Sequence, residues 1–145
     1  GAMTEAKIGY WAGQTDFQIK TVNAWIALAE KRHDDAVQLM RSAAEAEEAS
    51  DKHPVTPGNV VPSRELLGEM LMALNRPEQA FAEYKRSLKR DPNRFRGIYG
   101  AARAAEASGD RQAARNYYTK LQTLTADRDT ERPELAQAKA FLTRQ

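Results

Sequence analysis

The stretch RPEQAFAEY, at residues 76–84, decides the fold, because a related stretch, GDRQAARNYY, follows at residues 109–118. Each places an Ala four residues ahead of a Tyr, and the two alanines, Ala80 and Ala114, are 34 residues apart. Similarity at a fixed interval of this size indicates a repeat architecture, in which one supersecondary unit stacks on the next. The sequence therefore predicts an array of repeats.

The composition predicts that these repeats are helical. The 145 residues are 41% hydrophobic and 29% charged, which is ordinary for a soluble globular protein. Ala, Glu, Arg, Leu and Gln recur and favour helices, whereas β-branched runs with a period of two are missing. We therefore expect an all-α fold. The formal net charge of +2 neither favours nor excludes an acidic partner.

Several positions around the two alanines also agree. The alignment pairs Leu67 with Ala101, Gly68 with Ala102, Asn75 with Gly109, Ala80 with Ala114 and Tyr84 with Tyr118. With Pro92, the set resembles the tetratricopeptide repeat, W-x2-L-G-x2-Y…A-x3-F…P over 34 residues. The matching repeats span residues 61–94 and 95–128. Arg64 departs from the pattern, since it stands where Trp is usual.

The resemblance implies a right-handed helical array in which each repeat is a pair of antiparallel helices. Gly68 lets the two helices of its repeat approach closely, and Tyr84 or Tyr118 fills the gap against the next repeat. Asn75 and Gly109 fall at the tight turn between helices, where a left-handed backbone is expected.

A degenerate first copy is predicted upstream, within residues 4–50. Ala36 and Met40 match Ala80 and Tyr84, but at an interval of 44 residues instead of 34. We assign the excess to an inserted loop at residues 51–63, DKHPVTPGNVVPS, because its prolines and glycine disfavour a helix.

The segment before this copy predicts one long helix. Its apolar residues step by three and four, the spacing of one helical face: Ile8, Trp11, Thr15, Ile19, Val22, Ile26 and Ala29. A break near Gly9 and Gly13 is the alternative, since each glycine costs the helix ~1 kcal/mol.

The end of the chain predicts a capping helix at residues 131–143. Its apolar stripe comprises Leu135, Ala138, Phe141 and Leu142, and such a helix covers the last repeat of an array. The stretches KHPVTPG and DPNRFRG also resemble the C-terminal region of larger bacterial tetratricopeptide proteins of unassigned function. Residues 1–3 resemble a tag-cleavage scar, which leaves residues 4–145 as a single domain, and an origin in a longer protein stays open.

No catalytic chemistry is predicted. The chain has no Cys, and neither His33 nor His53 has metal-ligand spacing around it, so both are interpreted as solvated loop residues. Phosphate loops and nucleophile elbows are absent from the sequence. We expect no catalytic residue, metal or cofactor, and hence not an enzyme.

The charged and apolar runs of the sequence do not favour binding to nucleic acid or insertion into a membrane. Glu45, Glu47 and Glu48 are interpreted as a solvated helix face. No aromatic platform accompanies the basic run, and Lys85, Arg86, Lys89 and Arg90 are predicted on the solvated outer face of a helix. The run comprises Lys85, Arg86, Lys89, Arg90, Arg94 and Arg96. No apolar run approaches the ~18–20 residues of a membrane helix. The compartment stays open, with a soluble cytoplasmic location favoured.

The resemblance implies a concave groove lined by the first helix of each repeat. The predicted groove residues are Glu65, Glu69 and Met72, with Pro62 and Ala73, and then Arg96, Tyr99, Arg103 and Glu106, with Ala107. In the first copy they are Gln18, Thr21, Trp25, Leu28 and Ala29. A simple Arg103–Glu106 ion pair along the helix is the alternative to a functional role.

These residues predict a non-catalytic scaffold that binds a peptide or a helix of a partner protein. Of the carboxylate clamp that chaperone-binding relatives use, Arg96 alone is matched, so chaperone tails are not expected. Two alternatives stay open. One is self-association through the face that carries Ile8, Trp11 and Ile19; the other is a regulatory segment of a larger multidomain protein.

Overall fold

The computed structural model describes residues 2–50, 60–127 and 131–144, and the side chains of residues 2–10 lie outside the description. These ranges contain seven α-helices and no strand, which confirms the all-α prediction. The helices are α1 (Ala2–Ala29), α2 (His33–Ala49), α3 (Ser63–Ala73), α4 (Pro77–Arg90), α5 (Phe95–Ala107), α6 (Arg111–Leu124) and α7 (Pro133–Thr143). Among the described helices, none has the length and apolar character needed to cross a bilayer.

The helices divide into two compact units, residues 1–67 and 68–145. The first holds α1, α2 and the start of α3, with α1 packed on α2. The second holds the rest of α3 and α4 to α7, where α5 packs on both α4 and α6, and α6 packs on α7.

A left-handed residue stands in the turn between the helices of each pair. Asn75 and Gly109 have φ angles of 57° and 85°, as the repeat register predicts. Lys31 has a φ of 63° and precedes Asn75 by 44 residues, the interval that separates Ala36 from Ala80. The same turn therefore occurs in the degenerate first copy, although a non-glycine residue in this conformation costs roughly 1–2 kcal/mol.

Helix α1 is continuous through Gly13, so the alternative of a break there is excluded. It packs by a face that carries Phe17, Ala24 and Ala27, all buried. The apolar face found from sequence spacing lies on the opposite side, where Trp11, Ile19, Val22 and Ile26 are 48% to 58% exposed. Ile8 belongs to the same predicted face, but its side chain lies outside the description.

The start of α3 is held by carboxylates at the end of α2. The backbone N–H of Ser63 donates to Glu47 at 2.8 Å, and the Arg64 guanidinium binds both oxygens of Glu48 at 2.8 and 2.7 Å. Arg64 is 3% exposed, which accounts for an Arg in the usual Trp position. The interpretation of Glu47 and Glu48 as a solvated face is therefore wrong, whereas Glu45 is exposed.

The inserted loop is described in part. Residues 60–62 are not helical and lead into α3, in agreement with the prediction. Residues 51–59, with His53, lie outside the described residues.

In the second unit, Tyr84 fills the predicted gap between repeats. A Cβ atom added to Gly68 would lie 2.7 Å from the Tyr84 ring, and one added to Gly100, on α5, would lie closer still. The ring is therefore held between two glycines. Ala80 and Ala114 are fully buried, in agreement with the small residues that the repeat pattern places at these positions.

Tyr118 occupies the equivalent position in the next repeat and packs against the capping helix. Its ring centroid lies 4.9 Å from that of Phe141 on α7. Ala138 and Phe141 are buried and Leu135 and Leu142 half-buried, so the predicted stripe does cover the last repeat. Pro92 is exposed, and its carbonyl accepts a hydrogen bond from Lys120 at 2.8 Å.

Candidate functional site

The second unit contains a groove of about 640 Å³ between α3, α5 and the start of α7. This volume falls in the range of ~300–1,000 Å³ that is typical of ligand sites. Six of the predicted residues line it together: Glu69, Met72, Ala73, Arg96, Tyr99 and Arg103. The remaining lining comes from Tyr84, Phe95, Gly100, Arg132 and Glu134.

Two predicted groove residues lie elsewhere. Glu65 is 1% exposed, because it belongs to the first turn of α3, which packs against α2 through Ser63 and Arg64. Glu106 is half-buried and accepts a hydrogen bond from the Tyr118 hydroxyl at 2.7 Å. Neither carboxylate lines the groove, so the prediction is wrong for both.

The positions predicted for the first copy belong to the first unit. Thr21 is half-buried and donates to the carbonyl of Phe17 at 2.8 Å, as a helical threonine often does. The other predicted positions divide by exposure: Gln18, Trp25 and Ala29 are exposed, and Leu28 is half-buried. Among the supporting positions of the other repeats, Pro62 is half-buried and Ala107 exposed.

An ion pair joins α3 and α5 across the groove wall. The Arg96 guanidinium lies 2.5 Å from a carboxylate oxygen of Glu69, and both side chains are partly exposed. A pair in this setting contributes about 0.2–1 kcal/mol, so its main effect is to neutralise the charge of Arg96 in the groove.

The other two groove arginines lie over aromatic rings. The guanidinium carbon of Arg103 lies 5.7 Å from the centroid of the Tyr99 ring, and that of Arg132 lies 4.8 Å from the centroid of Phe95. Both distances are within the range of a cation–π interaction. The alternative Arg103–Glu106 pair is not formed, since Arg103 makes no ion pair with any described residue.

A chain of side-chain hydrogen bonds holds Tyr99 in place. Its hydroxyl donates to Gln137 Oε1 on α7 at 2.6 Å, and Gln137 Nε2 donates to the Tyr118 hydroxyl at 3.2 Å. Tyr118 in turn donates to Glu106, so one chain links α5, α6 and α7. The capping helix therefore orients the ring over which Arg103 lies.

The hydroxyls of Tyr99 and Tyr118, the two tyrosines in this series of hydrogen bonds, remain protonated at neutral pH. Burial raises the pKa of Tyr99. Burial, and then the hydrogen bond to Glu106, raises the pKa of Tyr118 well above its usual value. Each hydroxyl therefore acts as a fixed hydrogen-bond donor.

The contribution of α7 to the groove was not foreseen from the sequence. Arg132 directly precedes this helix, and Glu134 lies in its first turn. Phe95, a further lining residue, begins α5. Extending the 34-residue period by one step places Gln137 at the position of Arg103, on the groove-facing side. The sequence therefore indicates that α7 faces the groove, provided that the capping helix is treated as the first helix of a further repeat.

Charged clusters elsewhere suggest no second site. Within the part of the chain that the structure describes, no three metal-ligating side chains come together. Lys85, Arg86, Lys89 and Arg90 are exposed on α4, with the Lys85 ammonium 4.5 Å from the centroid of the Phe81 ring.

Comparison with known proteins identifies the repeat. The family model of the tetratricopeptide repeat matches residues 61–94, the bounds predicted from the sequence. These residues are therefore similar to a tetratricopeptide repeat. No curated protein sequence matches the chain.

Solved structures share the fold over most of the chain. PcrH from Pseudomonas aeruginosa is 20% identical, with a TM-score of 0.64 over 88% of this chain and 89% of that one. PcrH in complex with the chaperone binding region of PopB is 20% identical, with a TM-score of 0.64 over 88% and 95%. PcrH in complex with the corresponding region of PopD is 19% identical, with a TM-score of 0.66 over 89% and 90%. This likeness confirms an all-α, tetratricopeptide-like fold.

Proposed function

We propose that the protein is a non-catalytic scaffold that binds a short segment of a partner protein in the groove of its second unit. The observation that carries the proposal is the composition of the groove. Arg, Tyr and Met are enriched at protein interfaces, and Arg96, Arg103, Tyr99 and Met72 converge here on one concave surface.

The structural neighbours support this proposal. PcrH shares the fold and is found in complex with protein segments, the chaperone binding regions of PopB and PopD. From this likeness we infer for the present chain only that it binds a segment of another protein.

The chemistry of the groove supports a role without catalysis. Its titratable lining consists of arginines, two glutamates and two tyrosines, with no Ser, Thr, Lys or His among the lining residues. The groove lining therefore offers no Ser, Thr or Lys nucleophile and no His base.

Selection of displayed random peptides tests the proposal. We expect wild-type protein to enrich peptides whose affinity falls at least ~10-fold on Arg96→Glu/Arg103→Glu, because this variant reverses two groove charges. The matched control, Arg111→Glu/Arg115→Glu, reverses two exposed charges on α6 outside the groove and should retain affinity. Circular dichroism verifies that both variants fold. Equal binding to all three proteins, or no enrichment, would contradict the proposal.

Self-association is a second candidate, favoured by the outer face of α1. Trp11, Ile19, Val22 and Ile26 form an exposed apolar stripe on one side of the first unit. Sedimentation equilibrium tests it. A dimer that dissociates on Ile19→Gln/Val22→Gln but persists in the exposed polar control Gln18→Ala/Asn23→Ala would support this candidate. A monomer at all concentrations would remove it.

A further inference from the structure

Arg103 and Arg132, which lie over aromatic rings, bring unused hydrogen-bond donors to the groove lining. A guanidinium carries five N–H donors, and a cation–π contact with a ring does not require any of them to form a hydrogen bond. Neither the Arg103 nor the Arg132 side chain makes a hydrogen bond or an ion pair with any described residue. They differ in this respect from Arg96, whose charge Glu69 neutralises.

The rings restrict where these donors point. Tyr99 is fixed by its hydrogen bond to Gln137, and Arg132 directly precedes α7, whose packing on α6 includes Phe141. Arginines restrained in this way lose less side-chain freedom on binding than free surface arginines do. Planar bidentate acceptors, above all carboxylates, match this donor geometry.

The remaining charges and apolar groups narrow the choice of ligand. Glu134 lies in the first turn of α7, and Glu69 is paired, so the lining keeps an excess of one positive charge. The two carboxylates of the groove repel an anionic ligand. This repulsion disfavours a densely charged polyphosphate backbone more than it disfavours a ligand that carries isolated carboxylates. Met72 and Ala73 offer an apolar surface in the same groove.

We propose that the groove selects an acidic protein segment, in which Asp or Glu carboxylates bind Arg103 and Arg132 and a neighbouring apolar side chain contacts Met72. This inference rests on the proposed function and names the chemical class of its partner. An extended segment with alternating acidic and apolar residues fits the arrangement, because alternate side chains of an extended chain point to opposite sides.

Fluorescence anisotropy with a defined probe tests this inference. The probe is an end-blocked, fluorescein-labelled Glu-Leu-Glu-Leu-Glu-Leu peptide, and its control is the matching Gln-Leu peptide. We expect Arg103→Gln/Arg132→Gln to weaken probe binding by at least ~10-fold, since each substitution removes charge-assisted hydrogen bonds. Arg111→Gln/Arg115→Gln removes the same charge from α6 and should weaken it less than ~2-fold.

Several outcomes would overturn the inference. The first is that the probe does not bind at concentrations up to ~1 mM, where affinity falls to a non-specific level. The second is that the Gln-Leu peptide binds as tightly as the probe. The third is that the α6 control variant loses as much affinity for the probe as Arg103→Gln/Arg132→Gln does. Tighter binding of a short single-stranded oligonucleotide with the same dependence on Arg103 and Arg132 would also overturn it. The two arginines are exposed, so the variants should fold, and each single variant provides a second measurement.

The inference and the proposed function fail in distinguishable ways. If displayed peptides bind the groove but carry no acidic residues, the proposed function stands and the acidic preference is wrong. If no displayed peptide depends on the groove charges, both are wrong.

Discussion

Helices α1 and α5 are both rich in apolar residues, but they use them differently. Helix α1 buries Phe17, Ala24 and Ala27 against its own unit and leaves a second apolar face exposed. Helix α5 is buried on most sides by small residues, including Gly100 and Ala101, because it packs on both α4 and α6. Burial therefore follows the number of neighbouring helices, and apolar spacing alone does not reveal which face packs.

The largest effect should come from the core around α5 and α6. Tyr118→Ala removes a fully buried ring, its contact with Phe141 and its hydrogen bonds to Glu106 and Gln137, and we expect a loss of ~3–5 kcal/mol in the free energy of unfolding. Urea denaturation followed by circular dichroism measures it. A loss below ~1 kcal/mol would contradict the repeat register.

The close approach of α3, α4 and α5 should be sensitive to a single methyl group. Gly100→Ala places a Cβ against the Tyr84 ring and should cost ~1–3 kcal/mol, as overpacking does. In α1, Gly13→Ala meets nothing within 4 Å and should stabilise the protein by ~0.5–1 kcal/mol. A double-mutant cycle with Tyr84→Leu should show that most of the Gly100 penalty disappears. An unchanged penalty in the Tyr84→Leu background would refute the steric explanation.

The turns of the two units should respond in opposite directions. Gly109 has a φ of 85°, so Gly109→Ala should cost ~1–2 kcal/mol. Lys31 has a φ of 63°, so Lys31→Gly should raise the free energy of unfolding by ~1 kcal/mol. Thermal and urea denaturation compare the two variants directly. A destabilising Lys31→Gly would argue against the left-handed turn in the first copy.

The smallest effect is expected on the outer face of α1. Val22→Gln at a dilute concentration should change the free energy of unfolding by less than ~0.5 kcal/mol, because the side chain is exposed. Phe17→Ala, on the packed face of the same helix, should cost ~3–5 kcal/mol. Similar losses in the two variants would mean that both faces of α1 are covered in solution.

The repeat region could be predicted closely from the sequence. Tight helix packing demands small residues, aromatics and left-handed turns at fixed positions, and these positions define the repeat at residues 61–94 before any coordinates are known. The same register located Arg96, Tyr99 and Arg103 in the groove.

The partners of individual side chains could not be predicted in the same way. Glu48 pairs with Arg64 across 16 residues, and no local period encodes that pair. The 34-residue period indicates the side of α7 on which Gln137 lies, but not its hydrogen bond to Tyr99. The repeat register alone therefore predicts Glu65 and Glu106 in the groove, whereas packing buries Glu65 and the Tyr118 hydroxyl binds Glu106.

The most direct test of the central claim is an amide and indole NMR titration with a peptide obtained from the display selection. The two tryptophans of the chain, Trp11 and Trp25, both lie on α1, so their indole N–H signals report on the first unit. We expect the amide signals of Phe95–Arg103 to shift while both indole signals stay in place. Shifted indole signals with unchanged α5 amides would place the binding surface on α1 and contradict the account.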